Sequence, residues 1–186
     1  MLTKEPIAQA KVAAVNNALN QVLPEYEATT SQDIEVNALP IKVHTATVAD
    51  KAVGYAVESI SKNGFGGEVP LMVGFDTEGT ILNINVLEQK ETPGLGTKMA
   101  DEDNALLRSI KDKKAWEIEF KVKKDGGELD ALTAATISSR AYYDAVARAY
   151  RAYRVAAGFG DSADGVSGAT ATNAEGQQAQ EGGQNE

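Results

Sequence analysis

Thr133, Thr136, Ser138 and Ser139 put hydroxyls close together in the segment Asp130-Ala131-Leu132-Thr133-Ala134-Ala135-Thr136-Ile137-Ser138-Ser139. An apolar series at helical spacing follows: Tyr142, Val146, Ala149, Tyr150 and Tyr153. The hydroxyls therefore fall at a helix start, where backbone N–H groups have no intrahelical acceptor and attract anions. The plain role of such residues is to cap the helix. The chemical role is to hold an anionic ligand, and small Ala131, Ala134 and Ala135 would let a bulky one approach the backbone.

Two further segments carry the same ambiguity. Glu91-Thr92-Pro93-Gly94-Leu95-Gly96-Thr97-Lys98 directly follows a strand pattern. Its Pro and Gly content makes a plain loop. It also suits a ligand cradle: Gly94 and Gly96 permit close backbone approach, Leu95 offers an apolar contact, and Glu91, Thr92 and Lys98 offer polar ones. In Asn63-Gly64-Phe65-Gly66-Gly67, Phe65 could stack on a planar ring or plug a core. His44 reads as a strand-surface residue, Trp116 and the tyrosines at 142, 150 and 153 as core, and the acidic run 101–103 as a solvated helix start.

The elements that position these segments follow from periodicity. Residues 4–23 read as an amphipathic helix with Ile7, Ala10, Ala14, Val22 and Leu23 on one side, ended by Pro24. Residues 25–40 read as irregular. Strands are predicted over 41–48 and 52–61, with a hairpin at Asp50-Lys51, over 69–75, and over 80–88 after the turn Asp76-Thr77-Glu78-Gly79. In the last of these Leu82, Ile84 and Val86 face one way and Asn83 and Asn85 the other. Short strands joined by turns imply an antiparallel sheet. A short helix is predicted over 101–110 with its acids in the first turn. Trp116, Ile118, Phe120 and Val122 alternate with charged residues as a further strand, turned by Asp125-Gly126-Gly127. Residues 137–156 form the strongest helix. The expected fold is α+β: a twisted antiparallel sheet with packed helices, one domain over 1–157, then a low-complexity tail over 158–186 too poor in apolar side chains to order.

Composition excludes several functions. The formal charge of −9 argues against a nucleic-acid partner. With no cysteine and one histidine, disulfides, thiolate catalysis, iron–sulfur ligation and Cys- or multi-His metal sites are ruled out. No run of about 18 apolar residues exists to span a membrane, and no signal-peptide pattern opens the chain.

The three segments, in their order, resemble the covalent FMN-binding domain family. Asp130 to Thr136 is similar to its Asp-x-x-(Ser/Thr)-Gly-Ala-Thr motif, with Ala134 where Gly is commoner. Within that family the chain looks most like the G subunits of Rnf-type ion-translocating oxidoreductases. The resemblance implies FMN joined by a phosphoester to Thr136, formed by a separate flavin transferase that supplies base and metal, since a Thr hydroxyl is a weak nucleophile. It implies a cofactor site of Thr136, Thr133, Ala134, Ala135, Asp130, Ile137 and Ser138 with Glu91, Thr92, Gly94, Leu95, Gly96, Lys98 and Phe65. It further implies electron relay beside the other subunits of a membrane complex, coupling ferredoxin and NAD electron flow to ion transport. The place would be the extracytoplasmic face of the inner membrane, with an N-terminal anchor outside this sequence. An echo, Asp164-Gly165-Val166-Ser167-Gly168-Ala169-Thr170, matches the motif string better but has no strand before it or helix after it, so Thr170 is the alternative acceptor. Other readings are the C subunit of a sodium-translocating NADH:quinone reductase, separable by neighbouring genes, and a flavin-free interaction domain.

Overall fold

The computed structural model describes residues 4–160. Its frame is a five-stranded antiparallel meander, β1 (Ala28–Val36), β2 (Leu39–Val48), β3 (Lys51–Ser61), β4 (Val69–Phe75) and β5 (Ile81–Val86), in sequential order across the sheet. The helices are α1 (Lys4–Val22), α2 (Ala105–Ile110) and α3 (Thr136–Ala156). The α+β class and the antiparallel pairing expected from the sequence are both present.

Alternation decides which strand faces build the core. Val69, Leu71, Val73 and Phe75 of β4 all point to the α3 side, joined there by Ile41, Val43, Tyr55 and Val57. On the opposite face α1 packs Ala18, Leu19 and Val22 against Ala56 and Met72. Gly74 is needed for this second layer, because a Cβ there would lie 1.9 Å from the Val22 carbonyl oxygen. β3 and β4 are thus covered on both faces and form the most buried part of the sheet.

Several elements differ from the sequence expectation. Residues 28–36 form an edge strand where irregular chain was expected. Only Ile34 and Val36 of β1 are buried, so its polar composition hides it. Asn37 and Ala38 both take positive φ, 53° and 62°, giving a two-residue hairpin turn without the usual glycine. The turn between β2 and β3 is built the same way from Ala49 and Asp50, at 50° and 63°. The expected α1 stripe is met in part: Val22 and Leu23 dock, joined by Val15, Ala18 and Leu19, while Ala10 and Ala14 are exposed. A register shift between Gly74 and Phe75 of β4 pairs Phe75 with Ile81 of β5, which is in the core in place of Leu82.

The expected strand over Trp116–Val122 is absent. Ala115–Glu117 is a single 3-10 turn, Trp116 is 61% exposed and not core, and the strand edge nearby is occupied by residues 112–115, which bond to Gly79 and Ile81. Alternation makes a strand only where a partner ladder exists, and here Val122 makes one isolated bridge, to Leu129. The helix of 101–110 is shorter. Asn104 caps it by accepting from Leu107 N–H at 3.0 Å, leaving the acids 101–103 ahead of the first turn. His44 is on a strand but 7% exposed, not on the surface, held between Ser31 Oγ at 2.9 Å and Glu58 Oε2 at 2.5 Å.

α3 lies along the sheet and brings a tyrosine cluster into the core. Tyr153 stacks on Phe75 at 4.7 Å and meets Tyr55 edge-on at 5.2 Å. Burial pushes the Tyr143 hydroxyl up to about 12 and raises those of Tyr142 and Tyr153 as well. A raised acid is neutral in the fold, so its contribution is complete below the ordinary value near 10 and is lost as pH climbs toward 12. Stability against urea is expected to fall across that window. Phenolate absorbance should rise together with loss of the far-UV helix signal, and a rise well before unfolding would contradict the buried cluster.

Candidate functional site

α3 begins without the cap its sequence advertises. Ala135 is the N-cap residue and supplies no side-chain bond. The hydroxyl that works on the backbone is Ser139, which accepts from Leu132 N–H at 2.9 Å and donates to the Ala135 carbonyl at 2.8 Å. Residues 132–135 form a turn closed by Ala135 N–H on the Leu132 carbonyl at 3.1 Å, with Ala134 at φ 59°. Positive φ at the third position is the mark of a type II turn and favours glycine. The turn carries Thr136 into the first helical position. The first bond within the helix runs from Ser139 N–H to Ala135, so the N–H groups of residues 136–138 have no intrahelical acceptor.

Glu91 ties this helix start to both loops. It is 4% exposed, and its carboxylate accepts from Phe65 N–H at 3.1 Å, Gly66 N–H at 2.9 Å and the Ser138 hydroxyl. Close approach follows. A Cβ on Gly66 would lie 1.8 Å from the Lys90 carbonyl oxygen, and one on Gly96 would lie 2.6 Å from both Glu91 Cβ and Ser138 Oγ. Gly94 is different: it is exposed, at φ 78°, and glycine serves the turn itself.

The three segments enclose a cleft of about 400 Å³ lined by Phe65, Thr92, Leu95, Gly96, Lys124, Ala134, Ala135, Thr136, Ile137 and Ser138. This lies within the range of about 300–1,000 Å³ for small-molecule sites. Phe65, Leu95 and Ile137 are exposed apolar residues along its wall, at 67%, 37% and 48%. Phe65 therefore does not plug the core. Glu91 sits behind the wall. Lys98 is exposed in the 3-10 turn Gly96–Ala100 and does not line the cleft. Gly94 and Thr133 are exposed outside the lining, as is Asp130. A hydrogen bond from Lys123, at 2.6 Å, holds the Asp130 carboxyl below the usual carboxylate range. Sequence reasoning missed Lys124. The basic run Lys121 to Lys124 was its only signal, and that was absorbed into an expected strand.

The cleft thus joins an apolar wall suited to a flat ring with a hydroxyl, unpaired N–H groups and a lysine suited to a phosphate. The echo motif ending at Thr170 lies outside the described residues, as does all of the expected tail over 158–186 except residues 158–160.

Residues 64–151 match the FMN-binding domain family. The chain is 35% identical over 162 residues to the G subunit of the ion-translocating oxidoreductase complex of Shewanella amazonensis, covering 78% of this chain and 74% of that protein. It is 34% identical over 157 residues to the corresponding G subunit of Vibrio vulnificus, with the same coverage, and 32% identical over 166 residues to that of Aliivibrio fischeri, covering 82% and 79%. All the residues that line the cleft fall within the stretch that matches the FMN-binding domain. The chain belongs to the family of ion-translocating oxidoreductase G subunits.

Ala134 in the left-handed region carries strain that glycine would not. Ala134→Gly is expected to stabilise the fold by roughly 0.5–1 kcal/mol, the relief of strain exceeding the added freedom of the unfolded chain. Urea unfolding measures this, and a loss of stability would mean the turn is not strained at this residue.

Proposed function

We propose that the chain is an electron-transfer subunit that carries FMN joined through a phosphoester to Thr136. The observation that supports this most is the convergence on one cleft of the Thr136 side chain, the N–H groups of residues 136–138, Lys124 and an apolar wall. No described residue hydrogen-bonds the Thr136 hydroxyl, which leaves it available for modification.

Attachment would form a bond from Thr136 Oγ1 to the phosphorus of an anhydride-activated flavin phosphate as the P–O bond of the anhydride breaks and the second phosphate leaves with the bridging oxygen. The hydroxyl proton would pass to a base of the flavin transferase, because the lining around Thr136 holds no His or carboxylate and its Lys124 is a cation. The resulting diester keeps one negative charge. A helix start stabilises such a charge by about 0.3–1 kcal/mol when exposed, and Lys124 adds an opposite charge on the same wall. Phe65, Leu95 and Ile137 would flank the ring, with Thr92 and Ser138 beside them. Asp130 and Thr133, exposed next to the turn, would serve recognition by the transferase. When bound, the flavin supplies one- and two-electron chemistry, while the protein supplies pocket, orientation and electrostatics.

The family supports a wider setting of this kind. We place the chain beside the other subunits of a membrane-bound, Rnf-type complex that couples ferredoxin and NAD electron flow to ion transport, on the extracytoplasmic face. No described helix is long and apolar enough to cross a membrane, so anchoring is assigned to a segment outside the described residues or to partner subunits. A covalent tether suits this role: it prevents loss of the cofactor while the ring stays open to a donor and an acceptor.

Co-expressed with a flavin transferase, the chain should gain the mass of one FMN residue. Thr136→Ala should abolish the gain and Thr170→Ala should leave it intact; the reverse pattern would move attachment to the echo motif. The contribution of the loop is better probed at Leu95 than at Gly96, where any side chain collides with Glu91 and Ser138. Leu95→Ser is expected to fold and accept flavin, with the flavin spectrum and potential shifted toward free FMN. An unchanged spectrum and potential would make the 91–98 loop purely structural.

A further inference from the structure

The far end of α3 closes a second hollow. Gly158, at φ 83°, ends the helix, and Phe159 N–H donates to the Arg154 carbonyl at 2.9 Å. This glycine-capped end folds Phe159 back onto Tyr153, 6.0 Å between ring centres. Trp116 comes from its 3-10 turn, Glu78 and Gly79 from the β4–β5 turn, and Tyr150, Tyr153 and Arg154 from α3. They enclose about 260 Å³. Gly79 lets the rings close up, with its missing Cβ 3.6 Å from both Trp116 Cδ1 and Tyr153 Cε1.

Two features point to a missing occupant. Trp116 and Phe159 stand 61% and 56% exposed at the rim, large apolar surfaces with nothing packed over them among the described residues. Beneath them the Tyr153 hydroxyl and Arg154 Nε are buried without a hydrogen-bond partner among the described residues. Both can donate. Buried donors are rarely left unpaired, because the lost hydration is not replaced. Glu78 is held by Lys114 at 2.7 Å. Asp76 and Glu78 both act on Tyr153 as negative charges, which favours a neutral carbonyl over a carboxylate as the missing acceptor. The volume falls below the range of about 300–1,000 Å³ for cofactor-sized ligands and suits one side chain. Trp, Tyr and Arg around a small pocket are also the residues that dominate protein interfaces.

We propose that this hollow docks a neighbouring subunit, which parts Trp116 and Phe159 with one bulky apolar side chain and so brings a backbone carbonyl to Tyr153 Oη and Arg154 Nε, both covered in the isolated chain. This rests on the reading that the chain sits in a multi-subunit complex. Thr136 and Tyr153 lie at opposite ends of α3, about 25 Å apart at ~1.5 Å per residue. A subunit held here leaves the flavin cleft uncovered.

The test uses the assembled complex, purified from membranes through a tag on a different subunit, and the isolated chain beside it. Tyr153→Phe removes only the unpartnered oxygen. The isolated variant should melt at or slightly above the wild-type temperature, while its retention in the complex through a salt wash falls on the order of tenfold. Trp116→Ser should behave likewise. Retention of both variants at the wild-type level would overturn the proposal. So would unfolding of isolated Tyr153→Phe, since the hydroxyl would then have a partner within the chain. Deleting residues 161–186 tests the chain's own tail as occupant. Unchanged emission from Trp116, the only tryptophan, supports a partner subunit, and a shifted emission overturns it. The flavin mass is read on the same samples: its absence counts against attachment at Thr136 and leaves docking to be judged on retention alone.

Discussion

The buried carboxylate of Glu91 is the joint on which the cleft depends. A carboxylate this far from water is tolerated only when its oxygens are satisfied. Here Phe65 N–H, Gly66 N–H and Ser138 Oγ satisfy them. Each donor comes from a segment different from the one that carries Glu91. Two loops distant in sequence are thus fixed against the first turn of a long helix by one side chain. The glycines around it are explained by the same joint. Gly96 is small because Glu91 and Ser138 pass beside it, Gly64 because the Gly67 carbonyl and then the Glu91 carboxylate do, and Gly66 because the neighbouring Lys90 carbonyl does. In this protein loop glycine marks protein-on-protein approach as much as approach to a ligand.

The sheet gives that joint something rigid to act on. Ser59 and Ser61 of β3 turn their hydroxyls to α3, donating to the Ala145 carbonyl and the Asp144 carboxylate, each at 2.7 Å. These bonds set the axial position of α3 on the sheet, and the small faces of Ala141, Ala145, Ala149 and Ala152 let it lie close. With its axis fixed, the first turn of α3 meets Glu91 and its last turn meets the Trp116 hollow. One helix therefore positions two sites at its two ends. Arg148, bonded to the Ile60 carbonyl at 2.5 Å, adds a polar clasp at mid-length.

Much of this was legible in the sequence, and the exceptions have a common cause. The buried strand β4 was read to the residue because each of Val69, Leu71, Val73 and Phe75 answers to the same core. Edge strand β1 was missed because an edge buries little: its residues from Ala28 to Asp33 carry no apolar stripe. The stretch Trp116–Val122 showed the opposite error, a clear alternation with no ladder to pair with. Local pattern reports which side of a segment is apolar, whereas strand formation needs a neighbour, which lies elsewhere in the chain. The cleft shows the same division. Residues that line it through short-range spacing, from Ala134 to Ser138 and around Leu95, were visible. Lys124 was not, because it arrives from a segment whose path is set by tertiary contacts. Glu91 was visible as a residue of interest, but its place behind the wall depends on two segments closing over it.

Ala134 shows why a motif is better read as geometry than as a string. The family's Gly at this point corresponds here to the third residue of a tight turn at φ 59°. What the position requires is a left-handed backbone, and glycine is the unstrained way to meet it. Alanine can meet it at a cost of about 1–2 kcal/mol, and Ser139, bonded to both Leu132 and Ala135, holds the turn in place. The echo ending at Thr170 has the glycine but not the preceding core segment or the following helix pattern. A strained alanine clamped by Ser139 at the head of α3 points one hydroxyl position, Thr136, at one cleft. What the cleft needs is direction, and the turn with alanine in place of glycine still sets Thr136 in the cleft wall.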